Sequence, residues 1–279
     1  MNQGLADKNM NLHQSIHQRL GQMLSAPGGD TQEGLNNALR LLGKWRSILI
    51  QNTLIQQEGT SVLSGPLKGL KFLSQSAEGC HIAKLLGCYE QPLQPAISAA
   101  MQTRYEQIIN VGCAEGYYAV GMARSMPHTR VYAYDINPTA QKTCAELAAL
   151  NDVTERIEIG SLCSHQTFKE HQDRGRCLVL CDIESAEADL LDPSRAPSLA
   201  SMDLIVEVHE CMKPGLVALL KSRFEATHAI ELIEDNGQRS LPDAPAWFNS
   251  LSHLDQLLAV WEWRTGPTPW MVLSSKGRA

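Results

Sequence analysis

The run Ile108-Ile109-Asn110-Val111-Gly112-Cys113-Ala114-Glu115-Gly116 constrains this chain more than any other stretch. A short apolar segment ends in a turn bounded by two glycines, and a helical pattern follows from Tyr117 to Arg124. Strand, tight loop and helix N-terminus therefore succeed one another. Glycine lets backbone come close to a ligand, and the first helical turn offers unsatisfied N–H groups. A second apolar run, Val131-Tyr132-Ala133-Tyr134, ends at Asp135. An acid roughly twenty residues beyond such a loop is where a nucleoside-binding βαβ unit places the carboxylate for the ribose hydroxyls. Together the two landmarks predict an adenosine-containing cofactor.

The pattern around them is regular. Apolar runs recur at 107–111, 130–134, 156–160, 177–181, 202–208 and 228–233, with helical stretches at 138–151 and 214–224 between them. Strands alternating with helices predict an α/β fold, a Rossmann-like, mainly parallel sheet with helices on both faces. Right-handed crossovers put every parallel strand's C-terminal end on one edge, where ligands bind. Upstream, residues 1 to about 60 read as helix, with Leu35, Ala38, Leu39, Leu42, Trp45, Leu49 and Ile55 on one apolar face. Pro27-Gly28-Gly29-Asp30 interrupts this region, and Asp30 or Thr31 suits the cap of the second helix. Gly65 to Gly69 reads as a turn between short strands at 61–64 and 70–73. The expected organisation is a helical N-terminal region with a β-hairpin over residues 1–100 and a cofactor-binding domain over 101–279. The N-terminal helices have two roles open to them, covering the cleft or pairing with a second copy as a homodimer.

Charge narrows the partners. The formal net charge is −6, with +2 in the first hundred residues, −8 in the rest and no basic run. Nucleic acid is therefore not expected as a partner. No apolar stretch reaches membrane-spanning length, and 1–14 lacks the apolar core of a signal peptide. The eight cysteines form no CxxC pair, and Cys113, Cys144, Cys177 and Cys181 fall in or beside core elements. A reducing, cytoplasmic setting is expected.

The residues after each strand carry the chemistry. The first loop is Gly-x-x-x-Gly, not the GxGxxG of dinucleotide binders, and Glu115 within it suits a ligand bearing an ammonium group. S-adenosylmethionine has that group and a sulfonium. Asp135-Ile136 offers a carboxylate to two ribose hydroxyls and disfavours a phosphorylated ribose; the plainer role for Asp135 is capping the helix that begins at Pro138. Ser161 and Leu162 follow the third strand, where a base commonly lies. Asp182, Glu184 and Glu187 place three carboxylates within six residues after the fourth strand. A general base, a contact to the cofactor's cation and ligation of a hard metal are all open to them, as is simple acid enrichment at a helix start. Glu207 lies inside an apolar strand, where an unpaired carboxylate is costly. His209 stands at the same edge and titrates in the range useful for proton transfer.

These residues resemble class I S-adenosylmethionine-dependent methyltransferases, and more narrowly the FkbM-like group, over roughly residues 80–235. The likeness rests on Asn-Val-Gly-Cys-Ala-Glu-Gly-Tyr-Tyr at the first loop, Tyr134-Asp135, Asp182-Ile-Glu184-Ser-Ala-Glu187 and Ile-Val-Glu207-Val-His209, with Gly87-Cys88-Tyr89-Glu90 upstream. Ser185 stands where that group usually has glycine. The resemblance implies a seven-stranded sheet with its last strand, near 270–273, antiparallel. It implies that Gly112, Cys113, Ala114, Glu115 and Gly116 hold the methionine end of S-adenosyl-L-methionine, with Asn110 and Tyr117 beside them. Asp135 and Ile136 fall at the ribose, Ser161 and Leu162 around the adenine, and Asp182 near the transferring methyl. The implied reaction is O-methylation of a hydroxyl on a small molecule or sugar, with Asp182, Glu184 and His209 as catalytic candidates and no metal ligand assigned. A nicotinamide-dependent oxidoreductase and a non-catalytic cofactor-binding protein are the competing readings; Ala114 and Glu115 weigh against the first. Trp247, Phe248, Trp261 and Trp263, between the turn-formers at 241–245 and 266–269, suit either stacking on an acceptor or packing a lid onto the sheet.

Overall fold

Runs of apolar residues without polar alternation form strands buried on both faces. The computed structural model describes residues 2–74, 80–264, 266 and 268–277, with side chains from 11 onward. The N-terminal part holds helices α1 (Asn2–Ser25), α2 (Gln32–Glu58), α3 (His81–Leu86) and α4 (Gln94–Gln102). The alternating part follows as β1 (Gln107–Val111), α5 (Tyr117–Ser125), β2 (Arg130–Tyr134), α6 (Pro138–Leu150), β3 (Ile157–Gly160), α7 (His165–His171) and β4 (Cys177–Cys181). Next come α8 (Glu187–Leu190), β5 (Asp203–Glu207), α9 (Leu216–Phe224), β6 (His228–Ile233), α10 (Ala246–Asn249), α11 (His253–Val260) and β7 (Trp270–Ser275).

The seven strands form one sheet in the order β3-β2-β1-β4-β5-β7-β6. Six run in one direction, and β7 alone is reversed, antiparallel to both β5 and β6. This is a Rossmann-like α/β sheet with the antiparallel last strand expected above. The central strands β1, β4 and β5 are buried along their whole length, while the edge strands β3 and β6 are partly open. Side-chain parity divides the core. Ile108, Val131, Ala133, Leu178, Leu180, Ile205 and Trp270 face one layer, built from α5, α6, α3 and the end of α2. Ile109, Val111, Val179, Cys181, Leu204, Val206 and Met271 face the other, which contains Phe168 of α7 and Leu216, Leu220 and Phe224 of α9. Residues of the N-terminal part, such as Ile50, Leu54, Leu67, Phe72 and Ile82, thus share one apolar cluster with the sheet. Among the described residues no helix is long and apolar enough to cross a membrane.

Several boundaries differ from expectation. Thr31, not Asp30, caps α2, its Oγ1 accepting from the Gly34 N–H at 3.1 Å. The buried stripe of α2 is Ala38, Gly43, Ser47, Ile50 and Leu54, whereas Leu35, Leu39 and Leu42 stay exposed. Gly43 explains the rotation: a Cβ there would lie 3.0 Å from the Trp261 ring, and Arg46, about one helical turn further along, pairs with Asp255 of α11 at 2.6 Å. The strands expected at 61–64 and 70–73 shrink to a single bridge, Ser61 with Lys71. Their backbone groups go elsewhere. Lys71 N–H and C=O bond the Asn151 amide at 2.9 and 2.7 Å, and the Leu63 N–H donates to Leu85 O at 2.8 Å. The third strand starts at Ile157 because 154–156 form a 3₁₀ turn, and α9 starts after Gly215, which takes φ +89°. Pro267, in the second turn-former run, lies outside the described residues.

Parallel pairing sets Val111 of β1 beside Cys181 of β4. The turns that follow are therefore in contact. Gly112 has φ +74°, and a Cβ on it would lie 1.7 Å from the Asp182 carbonyl oxygen. At Gly215, with φ +89°, a Cβ would meet no atom within 4 Å. Gly112→Ala is therefore expected to cost roughly 3 kcal/mol or more, and Gly215→Ala only the left-handed penalty of about 1–2 kcal/mol. Equal denaturant midpoints for the two variants would contradict this.

Candidate functional site

The ends of β1 and β2 are tied together before any ligand is considered. The Gly112 and Cys113 N–H groups donate to Tyr134 O at 2.9 and 3.0 Å. Asp135 Oδ2 accepts from the Ala114 N–H at 2.9 Å, and its Oδ1 accepts from the Asn137 N–H at 2.8 Å. Asp135 therefore braces both turns. It does not cap α6; Asn137 does, through its Oδ1 and the Thr139 N–H at 2.9 Å. Ala114 adopts φ 46°, a left-handed conformation held by this bracing. Beside Asp135, Ile136 is 74% exposed and Leu162 70% exposed. They follow paired strands, with Tyr134 opposite Gly160, so two bare apolar side chains occur at neighbouring strand ends together with exposed Ser161.

Next to this edge opens a cleft. Asn110, Gly112, Cys113, Ala114, Glu115 and Tyr117 line it from the first turn, Asp182 from the fourth strand, and Glu207 and Trp270 from β5 and β7. The N-terminal part adds Lys84, Tyr89 and Glu90. Glu115 is fully buried, and its carboxylate accepts from Lys84 Nζ at 2.5 Å. The charge that the sequence offered to a ligand's ammonium group is thus engaged by a lysine on α3. Lys84 also lies 5.0 Å from the Tyr89 ring centre.

Asp182, Glu184 and His209, expected to act together, do meet. His209 Nε2 lies 3.6 Å from Asp182 Oδ1 and 3.5 Å from Glu184 Oε2, while Nδ1 is 2.9 Å from Glu187 Oε1. The arrangement of the acids differs from a shared helix face. Helix α8 begins only at Glu187, and Glu184 and Ser185 sit before it at φ 52° and 81°. Position 185 thus has the backbone conformation that favours glycine, and serine bears its strain here. Glu187 is completely buried, bonded to His209 and to the Ile183 N–H at 3.2 Å.

Glu207 finds its partner in Arg264. That guanidinium bonds Glu207 and Thr268, reaches Glu90 Oε1 at 2.7 Å and Glu262 Oε2 at 3.0 Å. Glu90 also accepts from the Tyr118 hydroxyl at 2.6 Å, and Arg239 joins Glu262 to Asp235. Lys84, Tyr118, Arg239 and Arg264 are members of the site that sequence reasoning missed. The aromatic residues of the 246–263 segment pack instead of lining the cleft. Phe248 is buried in the first core layer with Trp247 and Trp263 against it, and Trp261 lies over Arg40.

The surplus of carboxylates shifts their protonation. Desolvation and the nearby Glu207 charge push Glu90 up to about 8, against the pull of Arg264. Desolvation and the Glu90 charge push Asp182 up to about 7, although 46% of its side chain still opens onto the cleft. Burial opposes a charge on His209, but the Glu187 hydrogen bond and the Asp182 and Glu207 charges raise it to about 9.

No protein-family model matches this chain, and no curated protein matches it. Solved structures do. The chain is similar to the O-methyltransferase TomG from Streptomyces achromogenes, solved with SAM, at 12% identity and TM-score 0.45 over 69% of this chain and 82% of that one. It is similar to an rRNA methylase from Streptococcus thermophilus at 11% identity and TM-score 0.44, over 66% and 96%. It is also similar to a precorrin-6y C5,15-methyltransferase from Geobacter metallireducens at 8% identity and TM-score 0.42, over 65% and 88%.

The protonation shifts have a consequence for stability. Acids raised to about 8 and 7, and a histidine raised to about 9, all bind protons more tightly in the folded state. Their contribution is present at low pH and lost as pH rises through those values. The buried histidines His81, His171 and His228 are shifted downward, so the larger part of their opposite effect is over by about pH 6.5. With chelator present, the melting temperature should therefore fall from pH 6.5 to 9, and Glu90→Gln should flatten that fall. A rise over this range would contradict the assigned directions.

Proposed function

We propose that this protein is an S-adenosylmethionine-dependent methyltransferase that methylates a hydroxyl on a small molecule or sugar. The observation that carries this reading is the joining of two neighbouring strand ends through Asp135. A bent backbone loop and an acid braced by its own turn face the same edge, which is the geometry that receives a nucleoside. In this reading the ribose lies over Asp135, whose oxygens retain lone pairs beyond the two N–H bonds they accept. The adenine lies against Ile136 and Leu162. The methionine end enters the cleft past Gly112 and Ala114, with the sulfonium and ammonium charges matched by its carboxylates. Lys84 is the basic side chain among the residues lining that cleft, and it suits the methionine carboxylate.

The chemistry then asks for alignment more than for activation. The sulfonium is a good leaving group, so placing an acceptor oxygen in line with the methyl and sulfur supplies much of the rate. The oxygen bonds to the methyl carbon, and the S–C electron pair returns to sulfur. Asp182, at the end of β4 and open to the cleft, is placed to take the hydroxyl proton. His209 is held by Glu187 behind it and positions Asp182 and Glu184. A cleft lined by acids favours a small polyhydroxylated acceptor, and repels a nucleic-acid backbone.

Titration calorimetry with S-adenosylmethionine and S-adenosylhomocysteine tests the cofactor. Both should bind, NAD should not, and Asp135→Ala should weaken binding about tenfold or more, some 1.4 kcal/mol. Labelled methyl transfer to a panel of hydroxylated acceptors tests the reaction, where Asp182→Asn should lower turnover about 10²-fold with the cofactor still bound. Absence of heat from both sulfur compounds on folded protein would end this reading.

A further inference from the structure

Buried polar groups in folded proteins almost always find a hydrogen-bond partner. Among the described residues three indole N–H groups are shut off from solvent without one, those of Trp247, Trp263 and Trp270. Trp247 and Trp263 pack against the first core layer and do not line the cleft. Trp270 does line it, with 1% of its surface exposed. A donor left unpaired there is costly unless something entering the cleft supplies the acceptor.

The surroundings explain why no protein group does so. Trp270 stands opposite Glu207 across β7 and β5, but Glu207 is engaged by Arg264. Glu90, the next carboxylate of the wall, is taken by Arg264 and the Tyr118 hydroxyl. The Arg264 guanidinium also lies over the Trp270 ring, 5.1 Å from its centre. The arginine thus holds the ring by its face and binds the nearby carboxylates itself, leaving the indole N–H over.

The strand register relates this donor to Asp182. Cys181 of β4 pairs with Val206 of β5, so Asp182 stands level with Glu207, and Glu207 is opposite Trp270. Strands lie about 4.8 Å apart, which puts Asp182 and Trp270 about 10 Å apart at the backbone. Both side chains line the cleft and reduce that gap. Leu180 and Ile205, one register step down, give the cleft an apolar floor, with Leu93 and Ile97 completing it from the N-terminal part.

We propose that the Trp270 N–H binds a second oxygen of the methyl acceptor, and that the acceptor is a single-ring molecule, a carbocycle or a pyranose. Its reacting hydroxyl meets Asp182, and a hydroxyl, carbonyl or ether oxygen on the opposite side of the ring accepts from Trp270. The ring itself lies on Leu180 and Ile205, an apolar body fixed by a few polar contacts. Trp270 then selects the acceptor and orients the hydroxyl that reacts. The place given to the reacting hydroxyl rests on the methyltransferase reading; the binding of a ring oxygen at Trp270 does not.

The ¹⁵N-labelled full chain, with and without S-adenosylhomocysteine, is titrated with myo-inositol, methyl α-glucopyranoside and hydroquinone, and with phenol as the one-oxygen control. The indole N–H resonances of the five tryptophans are followed by NMR, that of Trp270 identified through its backbone. At least one of the ring compounds bearing two or more oxygens should move the Trp270 signal downfield, and phenol should not. Trp270→Phe should weaken binding of that compound at least tenfold, while Trp247→Phe should bind it as wild type does. Should Trp270→Phe fail to fold, the wild-type signal decides. The proposal is overturned if none of those compounds moves the signal, as when water alone fills the place. It is equally overturned if phenol moves the signal as far, or if folded Trp270→Phe binds as wild type does. Calorimetry with S-adenosylhomocysteine on the same samples separates the two ideas. Its binding with an unmoved Trp270 signal defeats the acceptor subsite alone, and a moved signal without its binding defeats the cofactor reading alone.

Discussion

The site depends on one backbone contact, that between the turn after β1 and the turn after β4. With Gly112 under the Asp182 carbonyl, the two turns are locked at a separation that no side chain at 112 would permit. That contact fixes where Asp182 leaves its strand. It also sets the floor of the cleft, because Asn110, Gly112 and Asp182 all line it. Asp135 then fixes the neighbouring turn from the other side, through the Ala114 N–H. The loop between is held at both ends by backbone hydrogen bonds, so its shape exists without a ligand. A pre-formed loop spares a ligand the entropy of ordering it.

Above this floor the molecule gathers more carboxylates than cations. Glu90, Asp182, Glu184, Glu187, Glu207 and Glu262 surround the cleft and its rear wall, answered by Arg264, Arg239 and His209. Such a cluster destabilises the folded state unless protons, or another cation, offset it. It persists because residues far apart in the chain hold it. Glu90 comes from before the first strand, Glu187 from the fourth crossover, and Arg264 from the segment before the last strand. The stretch from α3 to Glu90 and the segment leading to Arg264 therefore do more than decorate the sheet. They complete the polar wall, and the tryptophans of that segment serve this packing.

The strand-helix alternation, the parallel sheet, its antiparallel last strand and the edge that carries the site were legible in the order of the residues. Period-two and period-3.6 patterns are local properties, and right-handed crossovers turn them into a topology with little freedom left. The glycine-bounded loop and Asp135 were legible for the same reason, since each follows directly on a strand. Glu207 was legible as a carboxylate in need of a cation, because its apolar surroundings are adjacent in sequence.

Which cation answers it was not. Arg264 is 57 residues away, and nothing local distinguishes it from the other basic residues. Lys84 meeting Glu115, Asn151 capturing Lys71 and Glu187 standing behind His209 are likewise products of packing between distant segments. The rotation of α2 was decided by Gly43 and Trp261, so leucines that looked like a core face remain in solvent. Sequence alone thus determined the elements and the strand ends at which chemistry can sit, because periodicity and chirality act over short range. Only the tertiary structure decided the charge pairs and the protonation they impose, because burial and electrostatic balance depend on everything that surrounds a group.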